Sequence, residues 1–176
     1  MKMLGFIFGR KPGAEKHVAY LRKKFYSKLC TIRHLQKALL PNETLVKVYT
    51  AFIRPVIEYA NTAYHCLLTL EQSNSLERLQ LQALKMIFGN KISYRKCLEK
   101  FRLERLDERR LKAMQKFAQK AMSNPRFSKK WFPLNESTDK NTRSREKYKI
   151  FAAKHDRLRD GTLNTMRRYL NGLENE

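Results

Sequence analysis

The sequence predicts an all-α protein: a three-helix antiparallel bundle followed by a helical C-terminal extension, with a short orphan strand at the N-terminus. Three observations carry this expectation. Apolar residues recur every three or four positions through long windows, the period of a helix with one buried face. Stop and start signals (Pro41-Asn42, Thr69 to Gln72, Gly89) fall between those windows. The 176 residues are 42% hydrophobic, enough for a core, although 38 Lys and Arg against 16 Asp and Glu leave a net charge of +22. Such a charge with no periodicity would signal disorder; here the period argues against it except locally.

The apolar run over residues 2–9, closed by Arg10-Lys11-Pro12-Gly13, reads as one strand. Over residues 14–40, Val18, Leu21, Phe25, Leu29, Ile32, Gln36 and Leu39 form a helical stripe. A second helix opens at Asn42 or Glu43 with the stripe Leu45, Val48, Tyr49, Phe52, Val56, Tyr59, Ala60 and Ala63. Pro55 interrupts that pattern without ending it, which predicts a kink near Phe52. Thr69-Leu70-Glu71-Gln72 fits a capping box, and the helix after it carries Leu76, Leu79, Ala83, Met86 and Ile87 up to Gly89.

Beyond Gly89 the signals are weaker. Ser93 is placed to cap a short helix with Tyr94, Cys97, Leu98 and Phe101. A longer helix over residues 106–123 is expected to bury Leu111, Met114, Phe117, Ala118 and Ala121. Asn124-Pro125 ends it, and residues 124–142 read as irregular with Trp131-Phe132 as an anchor. Helices over residues 144–157 and from Gly161-Thr162 onward (Leu163, Met166, Leu170) complete the reading. The expected domains are 1–13, 14–88 and 89–176.

Composition narrows function. Three widely spaced cysteines (Cys30, Cys66, Cys97) argue against a disulfide framework and a four-ligand zinc site. Nothing resembles a signal peptide or a membrane span, so an intracellular place, nucleus or cytoplasm, is expected. The surplus charge favours polyanionic partners. It concentrates in residues 1–60, with 12 basic and 3 acidic side chains, and in residues 101–130, with 10 and 3.

Arg105, Arg109, Lys112, Lys116 and Lys120 step by three or four along the 106–123 helix, opposite its apolar residues. Such a row, nearly free of acidic residues, can track a phosphate backbone and release counterions; the alternative is an ordinary solvated face. Lys16, Lys23 and Lys37, flanked by Arg33 and Tyr26, offer the same on the first helix. Tyr49, Tyr59 and Tyr64 have rings that stack on bases, but Tyr49 and Tyr59 lie on the apolar stripe and read as core. His65-Cys66 lacks a further ligand at metal spacing. Of four aspartates, Asp156 and Asp160 lie nearest each other and sit beside Arg157 and Arg159. No carboxylate pair for two magnesium ions, Gly-rich phosphate loop or hydrolase motif is visible. The reading is a chain with no catalytic residues, cofactor, metal or small-molecule substrate.

Six pieces in order carry a resemblance. They are Lys2-Met3-Leu4-Gly5-Phe6, Phe52-Ile53-Arg54-Pro55-Val56-Ile57-Glu58-Tyr59-Ala60 with Tyr64-His65, Leu76-Glu77-Arg78-Leu79-Gln80, Ala83-Leu84-Lys85-Met86-Ile87-Phe88-Gly89 with Ser93-Tyr94, Leu106-Asp107-Glu108-Arg109-Arg110, and Asn124-Pro125-Arg126-Phe127 with Trp131-Phe132-Pro133. Together with Phe117-Ala118-x-Lys120 and the tail Met166-Arg167-Arg168-Tyr169-Leu170-Asn171 they resemble the region after the catalytic palm in reverse transcriptases of non-LTR (LINE- and jockey-like) retrotransposons. The resemblance implies that residues 1–13 end the palm, that 14–88 are a thumb closing over template–primer, and that 89–176 are the extension beyond it. The implied partners are RNA, DNA or their hybrid, with the palm and fingers as a further one. Polymerase activity does not come with it, because the paired-aspartate motif is not among these residues. A second possibility is a helical interaction module that docks on an acidic protein or a separate polymerase core. Exposed apolar residues around Leu4–Phe8 would favour that second option.

Overall fold

A computed structural model describes residues 2–3, 5–7, 13–89, 93–135, 147–152 and 161–173. The fold class is all-α, as the periodicity predicts. Its contacts divide it into two compact units, residues 1–61 with 68–110 and residues 62–67 with 111–176, so the boundary expected after residue 88 falls inside the first unit.

The N-terminal run is not one strand. β1 (Lys2–Met3) and β2 (Phe6–Ile7) pair antiparallel, Lys2 opposite Ile7 and Met3 opposite Phe6. Gly5 lies in the turn at φ +80, a conformation open to glycine at no steric cost. The strand therefore finds its partner within its own seven residues.

The bundle of the first unit starts with α1 (Glu15–Lys37), which buries Val18, Leu21, Phe25, Leu29 and Ile32 as its stripe predicts; the helix ends before Leu39, expected on the same stripe, which is 89% exposed. Residue 41 is the end of a short reversal into α2 (Asn42–Val48), which runs through a π-helical turn (Tyr49–Ile53) into α3 (Arg54–Glu58). Pro55 has no N–H to give to the preceding turn, and the wider turn just before it absorbs the misfit. The irregularity expected near Phe52 is there, but it changes which residues face inward. A π-turn holds one extra residue, so every later position moves round the axis by one step. The buried residues become Ile53 and Ile57, each 1% exposed, while Phe52 is 71% exposed. Tyr59, expected in the core, is 51% exposed; the chain leaves the helix at that residue (ψ 128), so the helical stripe no longer sets where it faces.

α5 (Leu70–Phe88) begins at the predicted capping box: Gln72 N–H donates to Thr69 Oγ1 at 3.2 Å and Thr69 N–H to Gln72 Oε1 at 3.1 Å. It ends at Gly89, φ +73, whose N–H reaches Lys85 O at 2.8 Å. Tyr26 Oη donates to Gln82 and Gln36 Nε2 to Met86 O; the pairs advance together, so α1 and α5 run in the same sense. α6 (Tyr94–Phe101) buries Cys97 and stacks Phe101 on Phe88 at 4.7 Å between ring centroids.

α4 (Asn61–Tyr64) and a 3-10 turn (His65–Leu67) precede α5, and α7 (Leu106–Met122) follows α6. Along α7 the inward residues are Leu106, Arg110, Met114, Ala118 and Ala121; Leu111 and Phe117, expected inside, are 42% and 40% exposed. The inward line advances by four or three from Leu106, which takes in Arg110 and leaves Leu111 and Phe117 on its flanks. Asn124 ends α7 as predicted but also starts α8 (Pro125–Trp131), accepting from Arg126 N–H at 3.0 Å. The segment expected to be irregular thus begins with a helix, because proline at the first helical position suits a helix start.

In the second unit, Phe132 and Tyr148 pack with Met114, Ala118, Met166 and Leu170, and Trp131 borders them. Of the helix expected over 144–157, only 147–152 are described, and these are not helical. Tyr148 bridges Leu134 antiparallel, with Asn135 N–H donating to Lys147 O and Lys149 N–H to Pro133 O. Their other edge is held by α9 (Thr162–Leu173), the helix predicted from Gly161-Thr162. Asn171 accepts from Tyr148 N–H at 2.8 Å and donates to its carbonyl at 3.1 Å; Asn164 does the same for Phe151 at 3.2 and 2.9 Å. Two amides seven residues apart on one helix face satisfy a strand edge as a neighbouring strand would.

Candidate nucleic-acid interface

The outer face of α1 is a cationic surface of the first unit. Because its apolar residues fall at intervals of three and four, the side away from them holds Lys16, Lys23 and Lys37, with Arg33 beside them; all four are exposed. Arg22, Lys24 and Lys28, which the stripe argument passes over because they lie on the shoulders of the helix, are exposed too. Glu15 is the only acidic residue in the 23-residue helix. Among the described residues no carboxylate forms an ion pair with any of these seven cations. From Lys16 to Lys37 the face runs about 32 Å at 1.5 Å per residue, comparable to one turn of a nucleic-acid duplex.

The row on α7 is different. Its first two members are engaged by acids, Arg109 by the remote Glu58 and Arg105 by the neighbouring Asp107. Arg109 donates from Nε to Glu58 Oε1 and from Nη2 to Glu58 Oε2 at 3.1 Å, with Glu104 at 3.8 Å. Arg105 holds Asp107 through two bonds of 3.0 and 2.8 Å, and this hydrogen bonding keeps the Asp107 carboxyl below the usual aspartate range. The row is therefore not free of acidic residues at Arg105 and Arg109. Lys112, Lys116 and Lys120 remain exposed. Arg110, next to them in sequence, is 1% exposed, with Nη2 on Ser73 Oγ at 2.6 Å.

The tyrosines sort by burial. Tyr49 and Tyr64 are fully buried, so neither ring is open to a base. Tyr49 Oη donates to Gln80 Oε1 at 2.9 Å, and Gln80 Nε2 donates to Tyr94 Oη at 2.9 Å and Glu104 O at 3.0 Å. Tyr94 Oη in turn donates to Glu77, whose second oxygen accepts from Leu106 N–H at 3.0 Å. Burial pushes both phenols well above the ordinary tyrosine value, so they stay protonated and donate. This polar chain ties α2–α3, α5, α6 and the start of α7 together.

Phe6 is buried and lies on His17 with ring centroids 4.3 Å apart, so at that position the hairpin does not present an apolar edge. Cys66 Sγ lies 4.0 Å from Met114 Sδ, and among the described residues no group of three His, Cys, Asp or Glu is assembled for a metal. No described helix is long and apolar enough to cross a membrane. Comparisons with family models, with curated proteins and with solved structures find no match to the chain.

Proposed function

We propose that this chain is a non-catalytic, thumb-like part of a retrotransposon RNA-directed DNA polymerase, which grips template–primer nucleic acid through its phosphates. The observation that carries the reading is the outer side and shoulders of α1: seven exposed cations, a single acidic residue in the helix, and, among the described residues, no carboxylate ion-paired with any of the seven. Ordinary exposed faces mix charge signs. An unneutralised line of this length suits a polyanion with regularly spaced charges, each phosphate met releasing a condensed counterion. Lys112, Lys116 and Lys120 supply a second, shorter line. Few amide side chains accompany these cations, which fits recognition by backbone and shape, not base edges. The order of the six family-like pieces supports the same reading from the sequence.

The test is the affinity for short RNA–DNA hybrids of several scrambled sequences in rising salt. Affinities alike across sequences and falling steeply with salt are expected. A flat logarithmic dependence on salt, or strong preference for one sequence, overturns the proposal.

A further inference from the structure

On the flank of α1 the first unit has an open cavity of about 400 Å³, within the size range of small-ligand sites. Tyr20 and Lys24 line it from α1, Pro55 and Val56 from α3, Tyr59 from just beyond α3, and Gly5 from the hairpin turn. We infer that this pocket takes one unpaired nucleobase of a single strand, with Lys24 on the adjoining phosphate. The inference rests on the proposed nucleic-acid reading and names a feature of it that a smooth cationic face lacks.

Three observations carry it. First, the lining combines two aromatic rings with one cation and, among the described residues, no carboxylate. That set matches a flat aromatic ligand bearing a negative charge and disfavours a cationic one. Lys24 Nζ sits 4.9 Å from the centroid of the Tyr20 ring, which holds the cation at the wall instead of letting it swing free. Second, the Tyr59 ring is held in place. A Cβ on Gly5 would come within 2.8 Å of Tyr59 Cε1, so the turn closes against the ring edge as only a glycine turn can. The ring nevertheless remains half exposed, at 51%. Third, the pocket continues the cationic face: Lys16, Tyr20 and Lys24 follow one another at intervals of four on α1, one helical row. A strand whose phosphates follow that row passes the mouth of the pocket. A base can enter only if it is not stacked in a duplex, so the site distinguishes single strand from duplex.

The experiment compares a short oligothymidine, an oligomer of the same length made of abasic residues, and a DNA duplex, each over the same series of salt concentrations. The wild-type chain is expected to bind oligothymidine about tenfold more tightly than the abasic strand, the size of one base–aromatic stack. Tyr59→Ala should bring the two together and leave duplex affinity unchanged, while Tyr59→Phe keeps the difference. Lys24→Gln should lower the salt slope for oligothymidine by about one. Equal affinities of the wild type for thymidine and abasic strands, or an equal loss of duplex affinity in Tyr59→Ala with its helical circular dichroism intact, overturns the inference. If Tyr59→Ala loses its helical signal, Tyr20→Ala takes its place in the same comparison. Duplex binding that falls steeply with salt, with no preference for bases, refutes the pocket alone. Absence of binding to all three refutes the nucleic-acid reading with it.

Discussion

Replacing Lys16, Lys23, Arg33 and Lys37 together by glutamine tests the cationic face quantitatively. All four are exposed and none is in an ion pair among the described residues, so the helix and its packing should survive. If each meets one phosphate, four fewer neutralised phosphates reduce the slope of log affinity against log salt by about 3.6, at 0.9 per phosphate. Between about 50 and 200 mM salt that difference amounts to roughly 150-fold: the wild-type affinity falls by that much more than the variant's. Fluorescence anisotropy with a labelled hybrid reads both slopes. Arg109→Gln serves as the control, because Glu58 already occupies that guanidinium, and it should change the slope little. A quadruple variant whose slope lies within about one of the wild type, or a control that matches the quadruple variant, refutes the reasoning.

Three further outcomes follow from the packing. Glu58→Gln takes the carboxylate from Arg54 and leaves Arg109 with Glu104 at 3.8 Å, the two arginine side chains being 16% and 30% exposed; because the cluster is partly solvated, a loss of about 1–2 kcal/mol is expected, seen as a lower urea midpoint. Burial lowers the His17 pKa below 6.5, so the folded state keeps the ring neutral while the unfolded chain takes up a proton. Its stabilising effect is present above pH 6.5 and is lost as pH falls through the lowered value; the unfolding midpoint should drop on acidification in that window, and less so in His17→Phe. Asn171→Ala removes both bonds to Tyr148 in a buried setting and should cost about 1–3 kcal/mol, with faster hydrogen exchange at the Tyr148 amide.

Much of the helical frame was legible because its signals are local. The stripe of α1, the capping box at Thr69 and the stop at Gly89 each depend on residues within a few positions, and each is found where the sequence puts it. The α7 row was legible as a row but not in its surroundings. Its acidic partner Glu58 lies 51 residues away and arrives only when α3 and α7 fold together. Burial of Arg110 and Arg167, each 1% exposed, is not legible from residue type, since an arginine is buried only where acceptors wait. Ser73 Oγ and the Trp131 carbonyl are those acceptors, and neither can be matched to its arginine by spacing.

What the sequence by itself determined is therefore the all-α class, most helix limits and the surplus of positive charge, since period, caps and composition are properties of neighbouring residues. The tertiary structure decided which side of α3 and of α7 faces inward and which cations remain unneutralised. One extra residue in the turn before Pro55 moves burial from Phe52 to Ile53. A helix has no memory of its phase beyond such an insertion, so the orientation of everything after it is set by packing and not by pattern.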